Sequence, residues 1–392
     1  MKVKQQPADF LVEERTDVVP GPKGEFALYR LDKTGWTTPD AINAIRRRWK
    51  IDGHRVSYGG LKDRHAETTQ HLTIFRGPES DITVDKVRLA YLGRSLEPFT
   101  AANIVANRFT LVVRSLSAGE VDRAERAIQD VNRAGLPNYF DDQRFGSVGE
   151  NGEFIAKEMV FGRFDRALWL ALAAPYEHDR GEQKREKQLL REKWGDWATL
   201  KATLPKGHAR SLVDYLATHP MDLKGAVARL RPELQGLYLS AYQSFLWNRM
   251  LALWLERRLG RENLVLVDLK FGPVPAPVRI PDDLHGTWND LTLPLPSARL
   301  KPDPFAPWYA IVNDVLTAEG LTLETMKIPG LQKPFFSRGE RPGCIRPENL
   351  RSLGENDEKH RTRKKLTLHF DLPRGSYATM LVKRITAVRE VP

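Results

Sequence analysis

Up to about residue 145, short apolar runs alternate with polar turns, and the spacing predicts alternating strands and helices. Phe10-Leu11-Val12 and Phe26-Ala27-Leu28-Tyr29 predict two strands separated by the turn-forming Pro20-Gly21-Pro22-Lys23-Gly24. Thr38-Pro39-Asp40 predicts a helix start, with the Thr38 hydroxyl at the cap and Pro39 at the first helical position. Ala41, Ile42, Ala44, Ile45 and Trp49 give that helix its apolar face. Further strands are predicted at 55–58, 71–75 and 108–114, the first two joined by a polar, Gly-led connector over 59–70. Ser117-Ala118-Gly119-Glu120 opens a second helix that runs towards Ala134.

From residue 164 the pattern changes. Residues 177–196 hold six acids and six bases at helical spacing, a solvated helix by its charge balance. Leu237, Ala241, Phe245, Leu251 and Leu255 predict a long buried helix, and the Pro- and Gly-rich stretch 270–345 predicts loops and short strands. After the basic run 359–365, the strand-like Leu366–Phe370 and the segment Pro373–Thr379 return to the texture of the first third. This predicts a discontinuous first domain, 1–163 and 339–392, interrupted by an inserted domain over 164–338.

Composition narrows the class. At 392 residues, 41% hydrophobic and 28% charged, the chain is long enough to build its cores without disulfides or structural metals. The lone Cys344 cannot form an internal disulfide, a Cys-based zinc site or a Cys-ligated iron–sulfur cluster, and suits a reducing cytoplasm. The N-terminal segment has no apolar run of signal-peptide length, and the longest greasy stretch, Leu239–Leu259, is broken by Gln243, Asn248 and Arg249. A cytoplasmic protein with no membrane partner is expected. The formal charge of +11 predicts a polyanionic partner, nucleic acid before membrane.

No dinucleotide-binding glycine motif, phosphate loop, His-Glu-x-x-His or Gly-x-Ser-x-Gly is present. What remains is Gly60-Leu61-Lys62-Asp63-Arg64-His65-Ala66-Glu67-Thr68-Thr69-Gln70, where two cations flank one carboxylate and favour its ionised form. Alone, Lys-Asp-Arg reads better as a surface turn with local ion pairs. Pro137-Asn138-Tyr139-Phe140-Asp141-Asp142-Gln143-Arg144-Phe145-Gly146 interleaves aromatics with amide and guanidinium groups, as a base-stacking site does, although such aromatics also serve as core. A metal-dependent ribonuclease using Asp63, Glu67, Asp141 and Asp142 is one alternative, and an inert RNA-binding chaperone is another.

Taken together, these segments resemble the TruD family of pseudouridine synthases. The likeness runs from Lys4-x-x-Pro7-x-Asp9-Phe10-x-Val12-x-Glu14 through Lys33-Thr34-Gly35-x-Thr37-Thr38, Gly60–Gln70, and Asn138-Tyr139-Phe140 with Gln143–Gly146. It continues through Ser240–Asn248 to Leu372-Pro373-x-Gly375-Ser376-Tyr377-Ala378-Thr379. The resemblance implies an α+β (mixed α/β) protein, with a catalytic domain on a mixed, largely antiparallel sheet and an inserted α+β TRUD domain. It implies conversion of uridine to pseudouridine in tRNA, at uridine 13 of the D arm; a monomer is expected, and the missing nucleotide, metal and flavin motifs predict no cofactor or metal. Asp63 is then the catalytic aspartate, Lys4 its partner, and Phe10, Asn138, Phe140 and Tyr377 the uridine contacts. Asp141 stands where many members have Gly, and Tyr377 where some have Phe. Arg46, Arg47, Arg48, Lys50, Lys62, Arg64, Lys364 and Lys365, with Lys359, Arg361 and Arg363, are expected at RNA phosphates.

Overall fold

The computed structural model describes residues 2–149, 151–176 and 179–391. The chain forms two compact units, one of Met1–Leu136, Pro277–Ile280 and Ile345–Val388, the other of Pro137–Ala276, Pro281–Cys344 and Arg389–Pro392.

The first unit is built on a ten-stranded sheet. Its main path runs Glu348–Asn356, Lys364–Pro373, Ile104–Leu116, Phe10–Thr16, Glu67–Phe75, Phe26–Thr34, Val87–Ser95, Ile82–Val84, with Lys2–Val3 beside Ile104–Leu116 and Val56–Tyr58 beside Glu67–Phe75. One pairing is parallel, between Phe10–Thr16 and Glu67–Phe75, with Leu11 opposite Glu67. The neighbouring pairings of these strands are antiparallel, so the sheet is mixed and largely antiparallel, as expected. Because strands 10–16 and 67–75 run the same way, the segments entering them, Lys4 and Asp63 included, arrive at the same end of the sheet.

Two helices follow their local signals. Ala118–Ala134 starts from a capping box of Ser117 and Glu120 and stops at Gly135, whose φ of 78° suits a residue without Cβ. Its buried Val121, Ala124, Ile128 and Val131 pack on Leu111, Val113, Leu366 and Leu368 of the sheet. The helix Thr38–Trp49 packs Ala41, Ile42 and Ile45 on Leu31, Leu72, Ile74 and Leu89. Its cap is Thr37, one residue before the one expected, accepting from the Asp40 amide. Thr38 is buried and spends its hydroxyl elsewhere, as described below. The strand predicted at 71–75 begins at Glu67, because Thr68 and Gln70 point inward as buried polar residues that a hydropathy count reads as loop.

In the second unit the long helix is Pro232–Arg258. Its middle is enclosed almost all round. The expected face is adjusted accordingly, with Leu237 exposed while polar Gln243, Ser244 and Asn248 are buried. Their hydrogen bonds explain this: Gln243 Nε2 donates to the carbonyls of Pro296 (2.9 Å) and Ser337 (3.0 Å), and Trp247 Nε1 to that of Leu293 (3.2 Å). The 270–345 stretch contains a helix, Tyr309–Ala318, besides the short strands expected. Gly181–Glu192 is helical as its charge spacing predicts, although Lys187 and Leu190 are buried; residues 177 and 178 of that charged stretch lie outside the described residues. Among the described residues no helix is long and apolar enough to cross a membrane.

Candidate active site

Asp63 lies in the connector between strands Val56–Tyr58 and Glu67–Phe75, and three buried polar side chains hold that connector by its backbone. Thr38 Oγ1 accepts from the Lys62 amide (3.0 Å) and donates to Gln70 Oε1 (2.8 Å), whose own Nε2 donates to the Gly60 carbonyl (3.2 Å). Lys33, only 2% exposed, donates through Nζ to the carbonyls of Trp36 (2.8 Å), Lys62 (3.3 Å) and Asp63 (2.9 Å). Burial pushes the Lys33 ammonium down to about 8; the Asp63 charge opposes that shift and the Lys62 charge adds to it.

The Asp63 carboxylate is met by Lys4, whose Nζ donates to Oδ2, while Oδ1 accepts from the His65 amide at 2.9 Å. Burial raises the Asp63 pKa, but the Lys4 hydrogen bond, the His65 amide and the Lys4 charge together outweigh it, leaving the carboxyl below its ordinary value. It is therefore ionised at neutral pH. Lys4 has a left-handed backbone, φ 56°, and its Nζ also lies 3.9 Å from the centroid of the Phe10 ring. The structure thus brings Lys4, Phe10 and Asp63 together.

Behind this group are two ion-pair networks. Arg114, 3% exposed, binds Asp9 (2.8 Å), Asp357 (3.0 Å) and Glu358 (2.7 Å), fixing the residue before Phe10. Buried Glu14 pairs with Lys62 (3.0 Å) and accepts from the His71 amide (2.8 Å); burial pushes its carboxyl up, and His71 and Lys62 bring it below its ordinary value. Lys62, expected at phosphate, instead has its ammonium committed internally to Glu14 and to Asn107. Arg46 likewise bonds Asn43 and the Ile51 carbonyl, Lys364 bonds Asn356, and Lys365 pairs with Glu358 at 2.9 Å. Arg47, Arg48, Lys50 and Arg64 are exposed. Tyr377, half-buried, precedes the helix Ala378–Thr386 and accepts through its carbonyl from the Met380 amide.

Asn138 and Phe140 belong to the second unit. Arg341 organises both: its Nη2 donates to Asn138 Oδ1 (2.7 Å), its Nε to the Asn138 carbonyl (2.9 Å), and its guanidinium lies 4.1 Å from the Phe140 ring centroid. Asn138 Nδ2 donates to the Pro342 carbonyl (3.1 Å). Asn248 exchanges two 2.8 Å hydrogen bonds with the Phe140 backbone, and Phe140 meets Trp247 edge-on. Asp141 is buried, its carbonyl accepting from the Arg144 amide.

Lys33, Thr38, Gln70, Arg114 and Arg341 were not among the expected site residues. For the first three a signal existed, since each lies inside a quoted motif block. Among the described residues no three His, Cys, Asp or Glu side chains are grouped to hold a metal ion, and Asp63, Glu67, Asp141 and Asp142 form no such set.

Comparison with known proteins places the chain. The family model for tRNA pseudouridine synthase D (TruD) matches residues 1–270 and 288–385. The chain belongs to the TruD family. A probable tRNA pseudouridine synthase D 1 of Methanococcus maripaludis is 30% identical, over 98% of this chain and 99% of its own. The tRNA pseudouridine synthase D of Aquifex aeolicus is 29% identical over 98% of each. A crystal structure of a TruD protein from Methanosarcina mazei matches with a TM-score of 0.75 at 25% identity, covering 99% of this chain and 94% of that one. The TruD match spans both compact units.

Proposed function

We propose that this TruD protein isomerises uridine to pseudouridine in tRNA, at uridine 13 of the D arm, with the Asp63 carboxylate acting at the sugar. The observation that carries the reading is an ionised Asp63 on a clamped loop, paired with a lysine that also caps an aromatic ring. The reaction breaks the N1–C1′ bond, turns the uracil and joins C5 to C1′; C5 loses a proton and N1 gains one, so no redox partner enters. A carboxylate serves either by attack at C1′ or by taking a sugar proton. A base inside a stacked helix is out of reach, so the uridine must be flipped out. Phe10, Phe140 and Tyr377 are proposed to hold the loose uracil by stacking, and Asn138, its amide oriented by Arg341, to read the uracil edge.

The division of labour is part of the proposal: catalysis by 1–163 with 339–392, RNA selection by an inserted TRUD domain over 164–338, in a cytoplasmic monomer. Arg47, Arg48, Lys50 and Arg64 are the proposed phosphate contacts. The test is release of tritium from tRNA labelled at uracil C5, with the modified position mapped. Release from tRNA whose uridine 13 is replaced by cytidine, at the wild-type rate, would overturn the position. RNA cleavage that stops with chelator would favour the nuclease instead, and tight binding without release the chaperone.

Lys33 provides a pH signature. Its protonated form holds the Asp63 loop, so activity is expected to fall as pH rises through about 8. Lys33→Met, melting close to wild type, is expected to lose about a hundredfold in kcat/KM, the scale of an ångström-size misplacement, and to lack that alkaline fall. Stability moves the other way. Between about 8 and the free-chain value of 10.5 the unfolded state binds more protons, so this group adds stability as pH rises through that window. Denaturant melts of wild type and variant at pH 7.5 and 10 check the sign.

A further inference from the structure

On the second unit, two surface segments run side by side. Ala298 donates its amide to the Met326 carbonyl, Leu295 donates to Gly339, and Gln243 binds the carbonyls of both Pro296 and Ser337. Between residues 295–305 and 326–339 these segments carry five exposed cations, Arg299, Lys301, Lys327, Lys333 and Arg338, against one acid, Asp303. The Arg299 guanidinium lies 4.4 Å from the centroid of the Phe335 ring. That ring is 51% exposed, whereas its neighbour Phe336 is 1% exposed and anchors the segment in the core. Phe335 is therefore held outward on a fixed backbone, where its exposure brings nothing to folding. Phe305, in the same basic stretch as Lys301, is 96% exposed.

An aromatic ring backed by a guanidinium within a predominantly positive stretch suits a nucleobase and its phosphates better than a protein surface, which brings mixed charge. We infer that Arg299 and Phe335 form a second RNA-contact surface, on which an unpaired nucleotide of the substrate RNA stacks while the surrounding cations hold its backbone. This rests on the RNA-modifying reading above and adds to it a binding site separate from the residues assigned to the chemistry.

The test is steady-state tritium release from C5-labelled tRNA alongside direct binding of the same tRNA at several salt concentrations. Phe335→Ala is expected to raise KM and Kd about tenfold at unchanged kcat, from the loss of one stacked base, and Phe335→Trp to restore both. Arg299→Ala is expected to lower the slope of log Kd against log salt by about one phosphate's worth. Wild-type KM and Kd in Phe335→Ala, or a fall in kcat at unchanged KM, would overturn the inference. If the wild type binds tRNA in a Phe335-dependent manner but releases no tritium, the surface stands and the catalytic reading fails. If it releases tritium and Phe335→Ala is neutral, the reverse holds.

Discussion

Asp63→Asn is expected to abolish tritium release, by at least about 10⁴-fold in kcat, while tRNA binding and melting temperature stay near wild type. The substitution is nearly isosteric, and the amide oxygen can still accept from the His65 backbone. What disappears is the negative charge that Lys4 and the His65 amide stabilise. Folding should tolerate the change because the pair is partly open to solvent, with Asp63 35% and Lys4 24% exposed, and such pairs contribute little to stability. Lys4→Met separates the roles within the pair. Without the ammonium the Asp63 pKa rises, so the acid limb of the pH–rate profile should move to higher pH, and the rate above that limb should recover part of the loss. An Asp63→Asn enzyme of undiminished activity would remove the aspartate from the chemistry.

Arg114→Met is expected to be the most destabilising single change near the site, costing about 3–5 kcal/mol in denaturant melts, because buried Asp9 and Asp357 lose their cation together. The pH dependence should weaken on the acid side. In the wild type, burial raises the Asp357 pKa, but the Ser115 and Lys359 amides and Arg114 bring it below its free value, so its contribution is lost as pH falls through that depressed value. In the variant Asp357 keeps the Ser115 and Lys359 amides but loses the Arg114 hydrogen bond and charge, so its pKa moves up towards the free value and less stability is lost as pH falls. Activity should fall with stability, since Arg114 also pairs in register with Lys2, two residues before Lys4. A variant that melts like wild type at neutral pH would show that the three carboxylates do not depend on this cation.

What the sequence disclosed was what short-range chemistry decides. Ser117 and Glu120 announce the helix Ala118–Ala134 because a capping box is complete within four residues. The Thr37 cap was misplaced by one, since only the fold shows that the Thr38 hydroxyl is occupied by Gln70 and the Lys62 amide. Asp63, Lys4 and Phe10 could be named through the family likeness, whereas their meeting depends on a parallel strand pairing that no local pattern encodes. Cations bonded inside the fold were least legible. Lys33, Arg114 and Arg341 count as surface charge in any composition, yet each is bound to groups far along the chain. Lys62 and Lys365 were counted towards RNA for the same reason.

The strand Ile104–Leu116 lies between Phe10–Thr16 and Lys364–Pro373. Its second partner begins 364 − 116 = 248 residues later. At ribosomal rates of roughly 5–20 residues per second, that is a delay on the order of 10–50 s. Throughout it, a thirteen-residue strand waits on the nascent chain with an unpaired edge, while Arg114 still lacks Asp357 and Glu358. Residues 137–276 and 281–344, of the second unit, emerge first and can bury their own apolar faces early. A half-made sheet on the ribosome, more than the finished protein, is where this chain is most open to mispairing and to the attention of chaperones.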